Sequence, residues 1–326
     1  MERPPSRVSF ATSSRGVDLQ QRATTCGKLG ENDGAGPTQS DNARLAVSGQ
    51  AAAPLAWLRD FRDHARRGGR TEAVRQVYEA FLDYELILFR DVDLPPATQV
   101  AFARAFGEVQ IHVMNQYHSC EDFPEIYMLS NLGEDGKPSG KHPDRGTLFW
   151  HTDGSWRERT GQATMMYSEI VPSEGGETEF ADMYAAHDNL SSEMKQRIGG
   201  KRAIHNLDFS RTRRHGEDPM TAEQKAKVPP IAHPIVRTHP ETGRKAIFLG
   251  DHAQEIEGMD YDEGRALIEE LNRLITPRGQ VYTHTWRPRE CIVWDNRCML
   301  HRATGFDEVR HVRVMRRCTI NGERPF

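Results

Sequence analysis

The spacing of apolar residues along the chain predicts a scaffold of many short strands with a few helices. Val74, Tyr78 and Phe81 recur at helical spacing within 71–84, and the apolar run 86–89 is typical of a buried strand. The other predicted strands are 125–130, 164–170, 177–181, 233–238, 245–249, 280–286, 290–294 and 312–320, and the other predicted helices are 55–66, 96–106, 191–198 and 261–276. This pattern favours a mainly β fold with helical cover, a β-sandwich or a jelly roll.

The first part of the chain differs from the rest in composition. Residues 1–53 are rich in Ser, Thr, Gly, Ala, Asn and Gln and have almost no periodic apolar pattern. We therefore predict a low-complexity, disordered leader over 1–53 and a folded domain over 54–326. The alternative is a transit peptide, because the first thirty residues are rich in Arg and Ser, but no clear amphipathic helix supports it.

Composition excludes several classes of partner. The net charge of -4 over 326 residues gives no reason to expect nucleic acid. No apolar run approaches the length that spans a bilayer, so no membrane partner is predicted. The five cysteines are widely spaced and form no CxxC pair, which favours a reducing, cytoplasmic setting. A homo-oligomer is compatible with the sequence.

Candidate metal ligands come from four His-x-acid pairs, which begin at His142, His151, His215 and His239. The pair at His142 has a central proline and lies among charged residues, and the pair at His215 lies in the charged run RTRRHGED. Both are predicted to be solvated loops. The pair at His239 opens HPETGRK and is predicted to form a hairpin turn between two strands.

The pair His151-Thr-Asp153 has a different context, because the apolar run 148–150 precedes it and Gly154 follows. On an extended strand, residues i and i+2 point to the same face. A histidine and an aspartate facing inward at a strand end are two of the three ligands of a facial metal triad. A structural hydrogen bond between a buried histidine and a buried aspartate explains the same spacing. The motif alone does not distinguish this interpretation from a metal site.

A second histidine and two arginines extend this pattern. His301 lies in an apolar setting after the turn at 295–297. Strand alternation in HVRVMRRCTI then puts Arg313 and Arg317 on one face, which indicates an anion-binding interior. An Fe(II) held by two histidines and a carboxylate keeps three positions open, so a 2-oxo acid and O2 can bind. The distal carboxylate of that acid needs a cation, which Arg313 could supply.

Several motifs in order now match a known family. They are FRDVDLPPATQVAFARAFGEV, WHTDGSW, PSEGGETEFADMYAA, HPIVRTHPETGRKAIFLG, and VWDNRCMLHRA followed by VRVMRRCTI. From about Leu86 to Phe326 the chain resembles the Fe(II)/2-oxoglutarate-dependent dioxygenases of the taurine dioxygenase and 2,4-dichlorophenoxyacetate dioxygenase family. VRTHPETGRK and WDNRCMLHR are more similar to the aryloxyacetate branch. The segment after His112, MNQYHSCEDFP, departs from both branches.

The resemblance implies a fold, a reaction and site residues. The fold would be a double-stranded β-helix, a jelly roll. The enzyme would hydroxylate a small organic anion while 2-oxoglutarate becomes succinate and CO2, and an aryloxyalkanoate is favoured over a sulfonate. The iron ligands would be His151, Asp153 and His301, the 2-oxoglutarate residues Thr178 and Arg313, and the substrate residues His112 and Arg317.

Two other classes remain open alternatives at this point. Two histidines and a carboxylate also suit zinc, so a zinc hydrolase on a similar barrel would have the same ligands. A non-catalytic binding protein could also have kept the barrel. A zinc hydrolase binds no 2-oxoglutarate, so it gives no role to Thr178 and Arg313.

Overall fold

The computed structural model describes residues 46–47, 72–113, 119–120 and 122–326. The helices in these ranges are α1 (Glu72–Tyr84), α2 (Pro96–Phe106), α3 (Met183–Asn189), α4 (Ser192–Ile198), α5 (Leu207–Phe209, continued by a wider turn Ser210–Arg214), α6 (Ala222–Lys227) and α7 (Tyr261–Ile275). The strands are β1 (Ala46–Val47), β2 (Leu86–Phe89), β3 (Ser119–Cys120), β4 (Phe123–Ser130), β5 (Gly161–Ile170), β6 (Thr178–Asp182), β7 (Arg202–His205), β8 (Ile231–Pro234), β9 (Val236–Thr238), β10 (Lys245–Ile247), β11 (Ala253–Ile256), β12 (Val281–His284), β13 (Cys291–Asp295), β14 (Met299–Ala303) and β15 (Val314–Asn321). Short 3-10 turns cover Arg145–Leu148 and Arg278–Gln280.

A seven-stranded sheet forms the base of the fold, in the order β1-β2-β13-β5-β15-β4-β3. All its described pairs are antiparallel except β1 with β2. Successive side chains in these strands point to opposite faces. In β2, Leu88 enters the core on one face while Ile87 packs with α1 and α2 on the other. The two helices therefore cover the outer face of the sheet.

The inner face of this sheet packs on three smaller antiparallel sheets. Their orders are β12-β6-β14, β11-β7-β8 and β10-β9. Phe180 of β6, Leu300 of β14 and Met315 of β15 belong to one buried cluster, so the main core lies between these sheets. Helix α7 joins the cluster because Leu267, Ile268 and its other apolar residues recur on one face; Asp260 caps its first turn.

The predicted elements are largely confirmed for the described residues. The helices at 96–106, 191–198 and 261–276 and nearly all predicted strands are present within a few residues. The strand predicted at 233–238 is two strands, β8 and β9, because the chain turns at Ile235. The sequence analysis did not predict β14, which carries His301; it placed this histidine only after the turn at 295–297. The mainly antiparallel β architecture with helical cover is confirmed.

Two expectations for the start of the chain lie outside the described residues. These are the helix at 55–66 and the boundary between residues 53 and 54. Within the described ranges, no helix is both long enough and apolar enough to cross a membrane.

Candidate metal and cosubstrate site

Two histidines are brought together by a short backbone bridge. His151 N donates to His301 O at 3.0 Å, and His301 N donates back to His151 O at 2.9 Å. This reciprocal pairing sets the two rings side by side, with centroids 4.2 Å apart. The His151 ring is oriented by Phe149, because its Nδ1 lies 2.7 Å from the Phe149 carbonyl oxygen. The proton is therefore on Nδ1, and Nε2 carries the lone pair that a metal needs.

Asp153 completes the cluster, and its carboxylate is held by two neighbours. Thr164 Oγ1 donates to Oδ2 at 2.6 Å, and Arg317 Nη1 donates to Oδ1 at 3.1 Å. Burial alone would raise the pKa of Asp153, but Arg317, the two histidines and Thr164 together hold the pKa below its ordinary value. The carboxylate is therefore ionised, as a metal ligand must be.

The three side chains form a donor set of the right size for one ion. Nε2 of His151 lies 3.8 Å from Asp153 Oδ1, and Nε2 of His301 lies 3.8 Å from Asp153 Oδ2. Ligand atoms bound at about 2.1 Å to one ion are roughly 3 to 4 Å apart. All three residues are at most 6% exposed. Two imidazoles and one carboxylate are the ligand types of mononuclear iron(II) sites, so the residues fit the metal.

A second group of possible ligands in the described residues has a structural explanation. His239, Asp295 and Cys298 also lie close together. However, Asp295 accepts two bonds from the Arg297 guanidinium and lies 3.1 Å from His239 Nε2. Burial raises the pKa of the Cys298 thiol, which keeps it protonated. This group is a buried ion-pair network.

The two residues predicted to bind 2-oxoglutarate each have an unused donor. Trp286 Nε1 donates to Thr178 Oγ1 at 2.9 Å, so the hydroxyl proton of Thr178 remains available for an acceptor. Arg313 is 3% exposed. Among the residues that the structure describes, none accepts a hydrogen bond from its Nε and no carboxylate forms an ion pair with it. Burial lowers the pKa of Arg313 to about 10, so the group is still cationic at neutral pH. A ligand carboxylate fits this position.

A glycine packs against the Arg313 side chain. Gly176, in the GGETEF segment, has a φ of +74°. A Cβ atom there would lie 2.8 Å from Pro172 Cγ and 3.4 Å from the Nε of Arg313. A larger residue at this position would therefore be strained in its backbone and would clash with Pro172.

The predicted substrate residues line a cleft that also contains His151 and Asp153. The His112 ring lies 4.8 Å from the Tyr127 ring and 5.4 Å from the Trp156 ring, measured between centroids. Burial, reinforced by the Arg317 charge, lowers the pKa of His112 to about 3, so its imidazole is neutral at neutral pH. Six of the seven predicted site residues are buried and His112 is half-buried, and four of them, His112, His151, Asp153 and Arg317, line this cleft.

The prediction of a solvated loop at His215 is wrong. His215 is 8% exposed and lines the cleft, and its Nε2 lies 2.5 Å from Asp251 Oδ2. The Phe149 ring stacks on it, with centroids 4.9 Å apart. The turn predicted at His239 is present between β9 and β10, although His239 itself is 1% exposed. The prediction of a solvated loop at the His142 pair is wrong for Asp144, which is half-buried and lines the cleft. Sequence analysis also missed other cleft residues, among them Tyr127 and His252.

The scaffold and the site together define a class. An antiparallel β scaffold that buries two histidines and a carboxylate beside a cleft, with a buried arginine nearby, is the arrangement of a mononuclear non-haem iron oxygenase. The chain belongs to the taurine catabolism dioxygenase TauD, TfdA family, whose model matches residues 60–319.

Individual relatives agree with this assignment. The chain is 35% identical over 258 residues to the alpha-ketoglutarate-dependent 2,4-dichlorophenoxyacetate dioxygenase of Burkholderia sp. (strain RASC), covering 77% of this chain and 86% of the relative. It is 33% identical to the (S)-phenoxypropionate/alpha-ketoglutarate-dioxygenase of Sphingobium herbicidovorans, covering 75% and 84%. The crystal structure of AAD-2 in complex with Mn(II) and N-oxalylglycine matches with a TM-score of 0.69 and 34% identity, covering 77% and 89%.

The family resemblance, the enzyme class and the cofactors predicted from the sequence are confirmed. The protein is a 2-oxoglutarate-dependent dioxygenase, and its cofactors are Fe(II), 2-oxoglutarate and O2. The zinc hydrolase and the non-catalytic binding protein lose their support.

Thr164 provides a first prediction, because it orients the Asp153 carboxylate and is not itself one of the three metal-binding residues. Its hydroxyl donates to Asp153 Oδ2 and accepts from Asn296 Nδ2 at 2.8 Å. We expect Thr164→Val, which keeps the shape, to weaken metal binding by about 10- to 100-fold. Titration of the protein with Mn(II) measures this. Thr160→Val is the control, since Thr160 is also buried but its hydroxyl faces the Glu323 carbonyl. Equal affinities in the Thr164→Val variant and the wild type would contradict the assigned role.

Proposed function

We propose that the enzyme hydroxylates a small organic acid, with an aryloxyalkanoate favoured over a sulfonate. The observation that carries this proposal is the buried Arg317, which lines the cleft beside Asp153 and stacks on the Tyr127 ring with its Cζ 4.5 Å from the centroid. A guanidinium there can pair with the acid group of a substrate. Tyr127, Trp156 and His112 supply aromatic surfaces on which an aryl ring can pack.

The roles of the other residues follow from their contacts. We propose that His151, Asp153 and His301 ligate Fe(II). Arg313 and the Thr178 hydroxyl bind a carboxylate of 2-oxoglutarate, Arg313 by charge and Thr178 by its free proton. His112 and Arg317 contact the substrate, and the neutral imidazole of His112 adds a hydrogen bond without a charge. The protein thus binds and orients the reactants.

The reaction is a coupled oxidation. When bound, Fe(II) and 2-oxoglutarate supply the oxidising chemistry, in which one oxygen atom of O2 enters succinate and the other hydroxylates a substrate C–H bond, with release of CO2. Arg317 fixes the acid group, and so selects which carbon is presented. If that carbon lies between an aryl ether oxygen and the carboxyl group, the hydroxylated product is a hemiacetal, which collapses to a phenol and a 2-oxo acid. The burial of the ligands keeps bulk water from the reacting atoms.

Three wider features belong to the same proposal. The paired antiparallel sheets support a double-stranded β-helix, the jelly roll of the family. The domain would occupy residues 54–326, with 1–53 outside it. The absence of disulfide-like cysteine spacing supports a cytoplasmic location.

Succinate formation tests the proposal directly. We expect iron-loaded protein with 2-oxoglutarate, ascorbate and air to form succinate faster when an aryloxyacetate is added. The same assay with alkylsulfonates and alkyl sulfates tests whether sulfonates and related anions are substrates instead. Phenol release in step with succinate would identify ether cleavage. No succinate with any compound, from folded and iron-loaded protein, would contradict the proposal.

A further inference from the structure

We propose that Asp251 is a positioning residue for His151: it fixes the backbone that carries this metal ligand, both directly and through the side chain of His215. The inference rests on the proposed ligation of Fe(II) by His151. It comes from a chain of contacts that begins at the Asp251 carboxylate, passes through His215 and the Phe149 ring, and ends at the His151 imidazole.

The peptide group between Trp150 and His151 is bonded at both of its polar atoms. Its N–H, which belongs to His151, donates to the His301 carbonyl at 3.0 Å, and its carbonyl, which belongs to Trp150, accepts from Asp251 N at 2.8 Å. Gly250, with a φ of +117°, allows this close approach, because a Cβ atom there would lie 2.9 Å from the Trp150 oxygen. The backbone of Asp251 therefore holds the peptide that leads into the metal ligand.

The Asp251 carboxylate holds two neighbouring side chains where the wider turn Ser210–Arg214 ends. Burial alone would raise the pKa of Asp251, which is 3% exposed, but the bond from His215 and the charge of Arg214 hold this pKa below its ordinary value. The carboxylate is therefore ionised and accepts from both partners. His215 Nε2 donates to Oδ2 at 2.5 Å, and Arg214 Nε donates to Oδ1.

Both of these side chains pack on the Phe149 ring. The His215 ring stacks on it, with centroids 4.9 Å apart and 22° between the planes, and Arg214 Cζ lies 5.7 Å from its centroid. Phe149 in turn orients the metal ligand, because its carbonyl oxygen accepts from His151 Nδ1 at 2.7 Å. A shift of the Phe149 backbone would therefore turn the imidazole and move the lone pair of its Nε2 away from the metal.

A second buried carboxylate has the same types of partner and provides the comparison. Glu290 is 1% exposed, its Oε2 lies 2.9 Å from His284 Nε2, and its Oε1 pairs with Arg90. His284 ends β12, and Arg90 follows β2. Glu290 thus repeats the carboxylate, histidine and arginine of the Asp251 network on another part of the scaffold.

Manganese binding tests the inference in the full-length protein. We expect Asp251→Asn to lower the affinity for Mn(II) about tenfold or more, because the amide nitrogen of asparagine would face one of the two donors that the carboxylate binds. His215→Ala, which removes the ring from Phe149, should have a similar effect. Glu290→Gln makes the same chemical change at the other carboxylate and should keep the wild-type affinity. Calorimetric titration measures all three.

A spectroscopic signal and a double variant distinguish positioning from a general loss of stability. The electron paramagnetic resonance spectrum of Mn(II) at saturation reports the arrangement of its ligands, so we expect it to change in Asp251→Asn and to stay unchanged in Glu290→Gln. If Asp251 acts through His215, the variant with both Asp251→Asn and His215→Ala should match the weaker single variant within about twofold, instead of showing the product of the two losses.

The outcomes separate the metal ligand from its positioning residue. Wild-type affinity in Asp251→Asn, an equal loss in Glu290→Gln, or losses that multiply in the double variant overturns the inference and leaves the proposed function intact. A His151→Ala variant that binds Mn(II) as the wild type does overturns the proposed ligation and the inference with it. Weaker binding in Asp251→Asn and in His215→Ala, with no further loss in the double variant and none in Glu290→Gln, supports both.

Discussion

We expect the Asp153→Ala variant to form no succinate above the enzyme-free blank. The carboxylate is the one anionic member of the donor set, and it stands 3.8 Å from the nearest nitrogen of each histidine. Without it, two neutral imidazoles remain to hold a divalent cation. The same change leaves Arg317 buried without its ion-pair partner, which costs about 3 to 5 kcal/mol of folding stability.

The two effects are separated by a ligand-dependent thermal shift. Mn(II) with N-oxalylglycine should raise the melting temperature of the wild type, because a ligand that binds only the folded state at about 100 times its Kd adds about 2.7 kcal/mol. We expect no rise in Asp153→Ala or in Asp153→Asn, where the amide can still accept from Arg317 and preserve the fold. Asp188→Ala, at an exposed aspartate, should behave as wild type. A full thermal shift in Asp153→Asn would show that the metal binds elsewhere.

The metal ligands were accessible to sequence analysis because each has a local signature. An apolar run that ends in His-x-Asp predicts two inward ligands on a strand. The strand itself is absent, because Leu148 ends a 3-10 turn and His151 forms only an isolated bridge with His301. His301 was found from its apolar surroundings and from the arginines that follow. Its strand, β14, was missed because Met299–Ala303 is only five residues long and contains Arg302, which breaks the apolar pattern.

The supporting contacts were not accessible, because they depend on distant parts of the chain. Thr164 meets Asn296 across 132 positions, and nothing in either local pattern indicates the bond. His215 was misread for the same reason. Its neighbours are charged, which is typical of a solvated loop, yet Asp251, 36 residues away, provides the partner that makes burial possible. Such pairs form only through tertiary packing, so the spacing of residues in the sequence does not predict them.

We expect Arg313→Met to weaken 2-oxoglutarate binding and to stabilise the ligand-free protein. Arg313 is buried, and no described carboxylate forms an ion pair with it, so in the absence of cosubstrate the fold bears an uncompensated charge. Methionine has a similar length and no charge, and its substitution should raise the free energy of unfolding by about 1 to 4 kcal/mol. Loss of the charge should raise the KM for 2-oxoglutarate about 100-fold or more, because the distal carboxylate loses its buried partner.

Urea unfolding of the ligand-free protein and the 2-oxoglutarate dependence of succinate formation measure the two effects. Arg237→Met is the matched control: Arg237 is equally buried but pairs with Glu323, so its loss should lower stability and leave the KM unchanged. If the free energy of unfolding rises in Arg313→Met and falls in Arg237→Met, the charge of Arg313 serves ligand binding and does not stabilise the fold. If Arg313→Met instead destabilised the ligand-free protein as Arg237→Met does, or left the KM unchanged, Arg313 would be a structural residue, and the cosubstrate carboxylate would need another cation.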